Sequence, residues 1–144
     1  MSSFLIKAFS YHNKNSRSKE LAVLFLLFAF GGAVYSLLET LYRGYTHWTM
    51  ALTGGACTAT LYALSKPLSK LKLWKKCGIG SLIITSYEFV VGCIVNLWFG
   101  WQVWDYSAVP GNLLGQICPL FSLIWFMLCA PLFVLCSWLR KILT

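Results

Sequence analysis

The sequence predicts an all-α polytopic membrane protein: a four-helix transmembrane bundle with both termini in the cytoplasm. Three observations predict it. The first is composition: of 144 residues, 58% are hydrophobic and only 11% are charged, and the mean hydropathy is +0.69. A soluble domain carries about 25% charged residues, so this chain cannot clothe a soluble surface. The second is where the basic residues stand. Lys7, Lys14, Arg17 and Lys19 precede the first apolar stretch, Lys66, Lys70, Lys72, Lys75 and Lys76 separate the second from the third, and Arg140 and Lys141 follow the last. That grouping follows the positive-inside rule, and it excludes a nucleic-acid reading of the net charge of +8. The third is Glu88, the single charged residue between Gly80 and Phe99. An acid at the centre of a membrane helix costs about 2.5–3.5 kcal/mol, so such residues face a bundle interior or a wet cavity.

The elements follow in order. Residues 1–19 form a basic cytoplasmic N-terminal segment, and residues 20–144 form a single transmembrane domain. Two readings stand for Phe4, Leu5, Ile6, Ala8, Phe9 and Tyr11: a short amphipathic segment on the lipid surface, or a partly ordered tail. The first apolar stretch starts late and lacks a small-residue cleavage pattern, so a cleaved signal peptide is not expected. Helices are expected over about 21–42, 48–64, 78–99 and 113–139, each long enough to cross. They must be helices because backbone in lipid has to satisfy its own hydrogen bonds. The lysine-rich loop 65–77 faces the cytoplasm. The segment 100–112 has no lysine or arginine and faces outside. Trp48, Trp98, Trp101 and Trp104 mark the outer interface, and Trp74 and Trp138 the inner one. Trp125 falls mid-span and reads as a packing residue.

Helical spacing gathers the polar residues. Side chains four apart share a helix face, which aligns Tyr35, Glu39 and Arg43, with His47 just beyond the helix. Ser81, Thr85, Glu88, Gly92 and Asn96 form a stripe on the third helix. Asn112 and Gln116 are four apart at the expected start of the fourth, where Pro110-Gly111 makes a turn and Asn112 can cap. With Asp105, these residues occupy the outer half. The simplest arrangement is a funnel that opens outward and ends near Glu88, walled by Glu39, Arg43, Asn96, Asn112 and Gln116. Glu39–Arg43 also reads as a local ion pair, and Glu88 as a structural lock to Arg43, Asn96 or a tyrosine such as Tyr87. Gly31-Gly32 and Gly54-Gly55 allow the first two helices to approach closely. Pro119 and Pro131 loosen the fourth, freeing carbonyls.

The six cysteines form no C-x-x-C pair, and five lie within apolar stretches, where a thiol behaves as a small hydrophobe. Neither a thiol–disulfide centre nor a metal site nor a cofactor is expected.

Several segments then carry a resemblance. They are Gly31-Gly32-Ala33-Val34-Tyr35 with Leu38-Glu39 and Arg43-Gly44-Tyr45-Thr46-His47-Trp48; Tyr87-Glu88-Phe89 with Gly92 and Val95-Asn96; Val103-Trp104-Asp105-Tyr106-Ser107; and Asn112-Leu113-Leu114-Gly115-Gln116-Ile117-Cys118. From about residue 29 to 127 the chain resembles the bacterial membrane proteins grouped as the Putative ABC-transporter type IV family. The resemblance implies a multi-pass protein of the bacterial inner (cytoplasmic) membrane. The sequence has no G-x-x-x-x-G-K-[ST] motif, so an ATPase working with it would be a separate chain, with the 66–76 loop as its docking surface.

The leading expectation is an integral membrane transport or binding protein. It takes a small polar or cationic ligand from the outer side, in a polar cavity centred on Glu88. The ligand-binding candidates are Glu39, Arg43, Glu88, Asn96, Asp105, Asn112 and Gln116, with Tyr35, His47, Tyr87 and Trp104 behind them. The partners are the lipid bilayer, a second copy in a homodimer, and the separate ATPase or other subunit. Two alternatives stand beside it. One is an oligomeric pore or non-catalytic partner subunit. The other is an intramembrane enzyme acting on a lipid or envelope precursor, with Glu88, His47 and Asp105 as acid–base groups.

Overall fold

Four helices account for most of the chain. The computed structural model describes the backbone of residues 2–143 and the side chains of residues 17–142. The N-terminal expectation concerning Phe4 to Tyr11 rests on side chains outside those described. Helix α1 spans Ser2–Arg43, α2 Trp48–Ser65, α3 Leu73–Gly92 and α4 Pro119–Leu143. α3 runs on into a π-helical turn over Cys93–Trp98.

Each boundary has a local cause. Gly44 takes a left-handed φ of +81°, and its N–H donates to the Thr40 carbonyl at 2.8 Å, closing α1 with a left-handed cap. The His47 ring accepts from the Thr49 N–H and caps α2. Pro67 follows directly on its last residues and stops it. α4 begins on Pro119, whose fixed φ and missing N–H suit a first helical position.

The last helix corrects the sequence reading. A helix was expected from residue 113; α4 starts at Pro119. Gly111 and Gly115 both have positive φ, as does Leu114, so residues 111–118 form turns. Asn112 therefore caps no helix. Its Oδ1 accepts from the Gly115 N–H at 3.0 Å and its Nδ2 donates to the Ser107 and Val109 carbonyls.

A second correction concerns the number of spans. Among the described residues, three helices are long and apolar enough to cross a membrane: Arg17–Arg43, Leu73–Trp98 and Pro119–Ile142. α2 is not among them. Thr49, Thr53, Thr58, Thr60, Gly54 and Gly55 dilute its 18 residues. The physical reason is its place in the core. Thr49, Thr53, Gly54, Gly55, Cys57, Thr58 and Leu61 are all buried, and the Thr53 and Thr58 hydroxyls donate back to the Thr49 and Gly54 carbonyls. A helix sheathed by its neighbours has no need of a lipid-facing surface.

α1 and α2 meet through glycine. A Cβ on Gly31 would lie 2.8 Å from the Gly54 carbonyl oxygen, and one on Gly54 2.9 Å from that of Gly31. α3 packs on α4 through Gly80, where a Cβ would meet the Cys129 sulfur at 2.6 Å. At one end of the bundle Arg140 donates to the Ser65 hydroxyl and the Tyr62 carbonyl, both at 2.7 Å, and lies 3.5 Å from Glu20. That cluster ties α1, α2 and α4 together. Segment 99–118 folds over the opposite end.

Candidate functional site

The site is built where the π-helical turn meets segment 99–118. A π turn admits one extra residue per turn and recurs at functional sites. Here it presents Asn96 to the folded segment. The Asn96 Oδ1 accepts from the Val103 N–H at 2.7 Å, and its Nδ2 donates to Gln116 Oε1 at 2.8 Å. Gln116 Nε2 donates onward to the Leu114 carbonyl, and the Trp104 indole donates to the Gln116 carbonyl at 2.9 Å. Gly92 makes this contact fit. A Cβ there would stand 2.6 Å from Gln116 Oε1 and 2.9 Å from the Trp104 ring.

Arg43 joins α1 to the same assembly. Its guanidinium donates to the Val103 carbonyl at 2.6 Å and to Glu39 at 2.5 Å, and it lies over the Tyr45 ring at 5.0 Å. Thr46 donates to the other Glu39 oxygen at 2.9 Å. The ion pair read from the sequence is present, and it is consumed locally.

Between these parts lies a cavity of about 630 Å³. Arg43, Asn96, Gln102, Asp105, Ser107 and Gln116 line it, with Tyr42, Tyr45, Trp104 and Tyr106. Gln102 and Leu114, both in its wall, have left-handed φ values of 51° and 53°. Non-glycine residues held there are uncommon and gather at binding sites. Asp105 is the exposed acid of the cavity. Its Oδ1 accepts from the Ser107 hydroxyl at 2.5 Å and the Ser107 N–H at 2.8 Å. Those two bonds hold its carboxyl below the usual carboxylate range. Burial pushes the Tyr106 phenol in the opposite direction, well above its ordinary value.

Glu88 is elsewhere. It is 2% exposed and lines neither this cavity nor the apolar one described below. The Tyr35 hydroxyl donates to its Oε1 at 2.7 Å and the Trp125 indole to its Oε2 at 2.8 Å. The two rings stack with centroids 5.4 Å apart. This corrects the expectation of a cavity centred on Glu88: the carboxyl clasps α1 to α4 from α3. Most of the polar stripe behaves the same way. The Ser81 hydroxyl donates to the Ser122 carbonyl, and Thr85 pairs with the Ser122 hydroxyl. Only Asn96 of that stripe reaches the cavity.

Of the sequence candidates, the cavity gathers Arg43, Asn96, Asp105, Gln116 and Trp104. Glu39 stands behind Arg43. Asn112 closes a turn. His47 caps α2 beside the rings of Trp48 and Trp101. Tyr87 pairs with Thr60 at 3.1 Å. Trp104, expected at the interface, is 5% exposed, because Gln116 accepts its indole from inside. Sequence reasoning missed Tyr42, Tyr45, Gln102 and Tyr106 as wall residues, and Trp125 as a partner of Glu88. The Trp125 partnership had a signal: a buried indole N–H needs an acceptor, and Glu88 is the one carboxylate of the facing helix.

Below the polar cavity is a second, apolar one of about 310 Å³. Tyr35, Gly54, Cys57, Ile84 and Trp125 form its floor and head, and Val34, Leu38, Leu128 and Leu132 its sides.

A sequence model of the family described as Putative ABC-transporter type IV matches residues 23–143. No curated protein and no solved structure matches the chain.

Proposed function

This chain belongs to the Putative ABC-transporter type IV family, and from that premise we propose that it is a multi-pass membrane transport or binding protein whose polar cavity accepts a small cationic ligand. The observation that carries the reading is the convergence of Arg43, Asn96, Asp105 and Gln116, from three separate segments, on one cavity of about 630 Å³. The charge balance gives the sign. Arg43 is neutralised by Glu39 at 2.5 Å, so Asp105 remains as the net charge of the cavity. A cation is held by Asp105, with the second lone pairs of the Asn96 and Gln116 amide oxygens, each of which accepts one internal hydrogen bond, and the uncovered ring faces of Tyr42, Tyr45 and Tyr106.

We assign the end bearing Lys66, Lys70, Lys72 and Lys75, all exposed, to the cytoplasm of a bacterial inner membrane, by the positive-inside rule. α2 returns the chain across the bundle alongside α1, from the Gly31–Gly54 contact to the Tyr62–Arg140 contact, so both termini then lie on that side, and the polar cavity opens outward beside the exposed rings of Trp48, Trp98 and Trp101. A separate ATPase or other subunit docks on the lysine loop, and a homodimer is compatible with the exposed apolar faces.

A thermal-shift screen of small cations and neutral polar compounds tests the reading. Compounds that protect the wild type and Tyr87→Phe, but not Asp105→Asn, are the expected outcome. Equal protection of all three proteins by every hit overturns it.

The pH dependence has a defined sign. A carboxyl held below its ordinary range keeps its charge above the unfolded value and loses it only as pH falls through the lowered one. Cation binding is therefore expected to stay level from about pH 8 to about pH 5 and to fade only below about pH 4. Titration calorimetry across that range checks it, with Asp105→Asn weak throughout.

A further inference from the structure

We propose that the apolar cavity between α1 and α4 is a lateral binding site for the acyl chain of a membrane lipid, whose head group occupies the polar cavity. The α1 and α4 backbones do not approach one another closely over the described residues. The two helices meet through side chains midway, where Tyr35 and Trp125 stack at 5.4 Å, and towards both ends. Tyr42 and Phe121 touch edge-on at 5.8 Å near one end, and Leu27, Tyr62 and Cys136 cluster near the other. Around the Tyr35–Trp125 stack the two backbones stand apart, and the cavity lies in that gap with both rings in its wall.

Its position selects a hydrocarbon. The lining on α1 runs from Phe30 to Leu38 and on α4 from Trp125 to Leu135, the second half of the first membrane-spanning stretch and the middle of the last. Phe30, Val34, Leu38 and Leu128 line the cavity and are also exposed on the outer surface of the bundle. They form a mouth, and in a membrane that mouth opens on lipid. Pro131, with no N–H to give, sits in the same wall.

Size excludes a helix of a second copy from entering the cavity. A volume of about 310 Å³ holds roughly ten groups the size of a water or a methylene. A helix is about 10–12 Å across with its side chains and cannot enter, whereas a single extended chain can.

Continuity supplies the head group. On α4, Phe121 lines the polar cavity and Trp125 the apolar one. On α1, Tyr42 lines the polar cavity and Leu38 the apolar one. Each pair is four residues apart, one helical turn on one face. The Tyr42–Phe121 contact is the partition that a bound lipid would cross. The chain site stands on the groove, and the head-group assignment rests on the proposed function above.

Cross-linking with a phospholipid carrying a diazirine in its acyl chain tests this, using the full chain in bilayer nanodiscs. Labelling of Val34, Leu38 and Leu132 is expected to saturate as the probe fraction rises. Labelling of Leu26 and Leu123, exposed outside the groove, is expected to rise in proportion. Val34→Trp, which fills the mouth, is expected to reduce the groove labelling about tenfold and to leave Leu123 labelling unchanged. Val34→Ala, which cannot clash, retains it and controls for folding. Proportional labelling at every position, or labelling indifferent to Val34→Trp, overturns the proposal. So does cross-linking of the groove to a second copy in place of lipid. Saturable groove labelling that persists in Asp105→Asn, when no cation protects the wild type, retains the chain site and removes the head-group reading.

Discussion

Glu88→Leu is expected to destabilise the detergent-solubilised protein by about 1–5 kcal/mol, as the buried Tyr35 hydroxyl loses its acceptor at about 1–3 kcal/mol and the half-buried Trp125 indole at somewhat less. The carboxyl accepts Tyr35 of α1 at 2.7 Å and Trp125 of α4 at 2.8 Å. Leucine keeps much of the volume and accepts nothing. The groove beside the two rings is lined mostly by apolar side chains, and the Thr58 hydroxyl in its wall is engaged with the Gly54 carbonyl. Glu88→Gln retains one acceptor oxygen, but its amide nitrogen faces the second donor. It is expected to lose about 1–3 kcal/mol. Thermal melting in detergent should therefore rank wild type above Glu88→Gln and Glu88→Gln above Glu88→Leu. Wild-type melting of Glu88→Gln together with lost ligand protection would return Glu88 to the binding site.

The Glu88 result separates what the sequence carries from what it leaves out. One acid in an apolar helix declares that it is satisfied somewhere, because lipid offers no partner. It does not declare by whom. Tyr35 and Trp125 are 53 and 37 residues away, and helical spacing relates only neighbours on one helix. Spacing did bring Asn96 and Gln116 into one list, and they do touch. It also listed Asn112, Glu39 and His47, whose hydrogen-bonding capacity is spent within their own turns and caps. Local polar bonds compete with any site for the same groups, and spacing cannot see that competition.

Hydropathy misplaced the fourth helix for a related reason. Residues 113–118 are apolar enough to continue a span, but Gly111 and Gly115 adopt positive φ, and Pro119 suits a first helical position. Those three residues were visible signals, outweighed by apolarity. The π turn over Cys93–Trp98 left no such signal, yet it aims Asn96 at the cavity. α2 shows the reverse error. Four spans were expected because its length suffices, about 27 Å at 1.5 Å per residue. Its threonines and glycines report instead that it is sheathed by other helices. More than half of its residues are buried, so the helix whose hydropathy falls short of a lipid-crossing span is the one that lies deepest among the rest.

That inner position makes Gly54→Leu the other large effect. A Cβ at residue 54 would stand 2.9 Å from the Gly31 carbonyl oxygen and 2.8 Å from the Tyr35 ring carbon nearest the backbone. The carbonyl belongs to helix backbone and cannot step aside, so α1 and α2 must separate. Overpacking of this kind costs about 1–3 kcal/mol, occasionally more. Here the displacement has a second consequence. Tyr35 is carried on α1, and moving it outward withdraws its hydroxyl from Glu88, adding an unpaired buried group at about 1–3 kcal/mol. Gly54→Leu should therefore lower the melting midpoint by more than overpacking alone. A double-mutant cycle with Tyr35→Phe reads the coupling. Phenylalanine has already removed the hydroxyl, so the glycine substitution should cost less in that background, by about 1 kcal/mol or more. Strict additivity of the two substitutions would show that the glycine contact and the Glu88 clasp are independent.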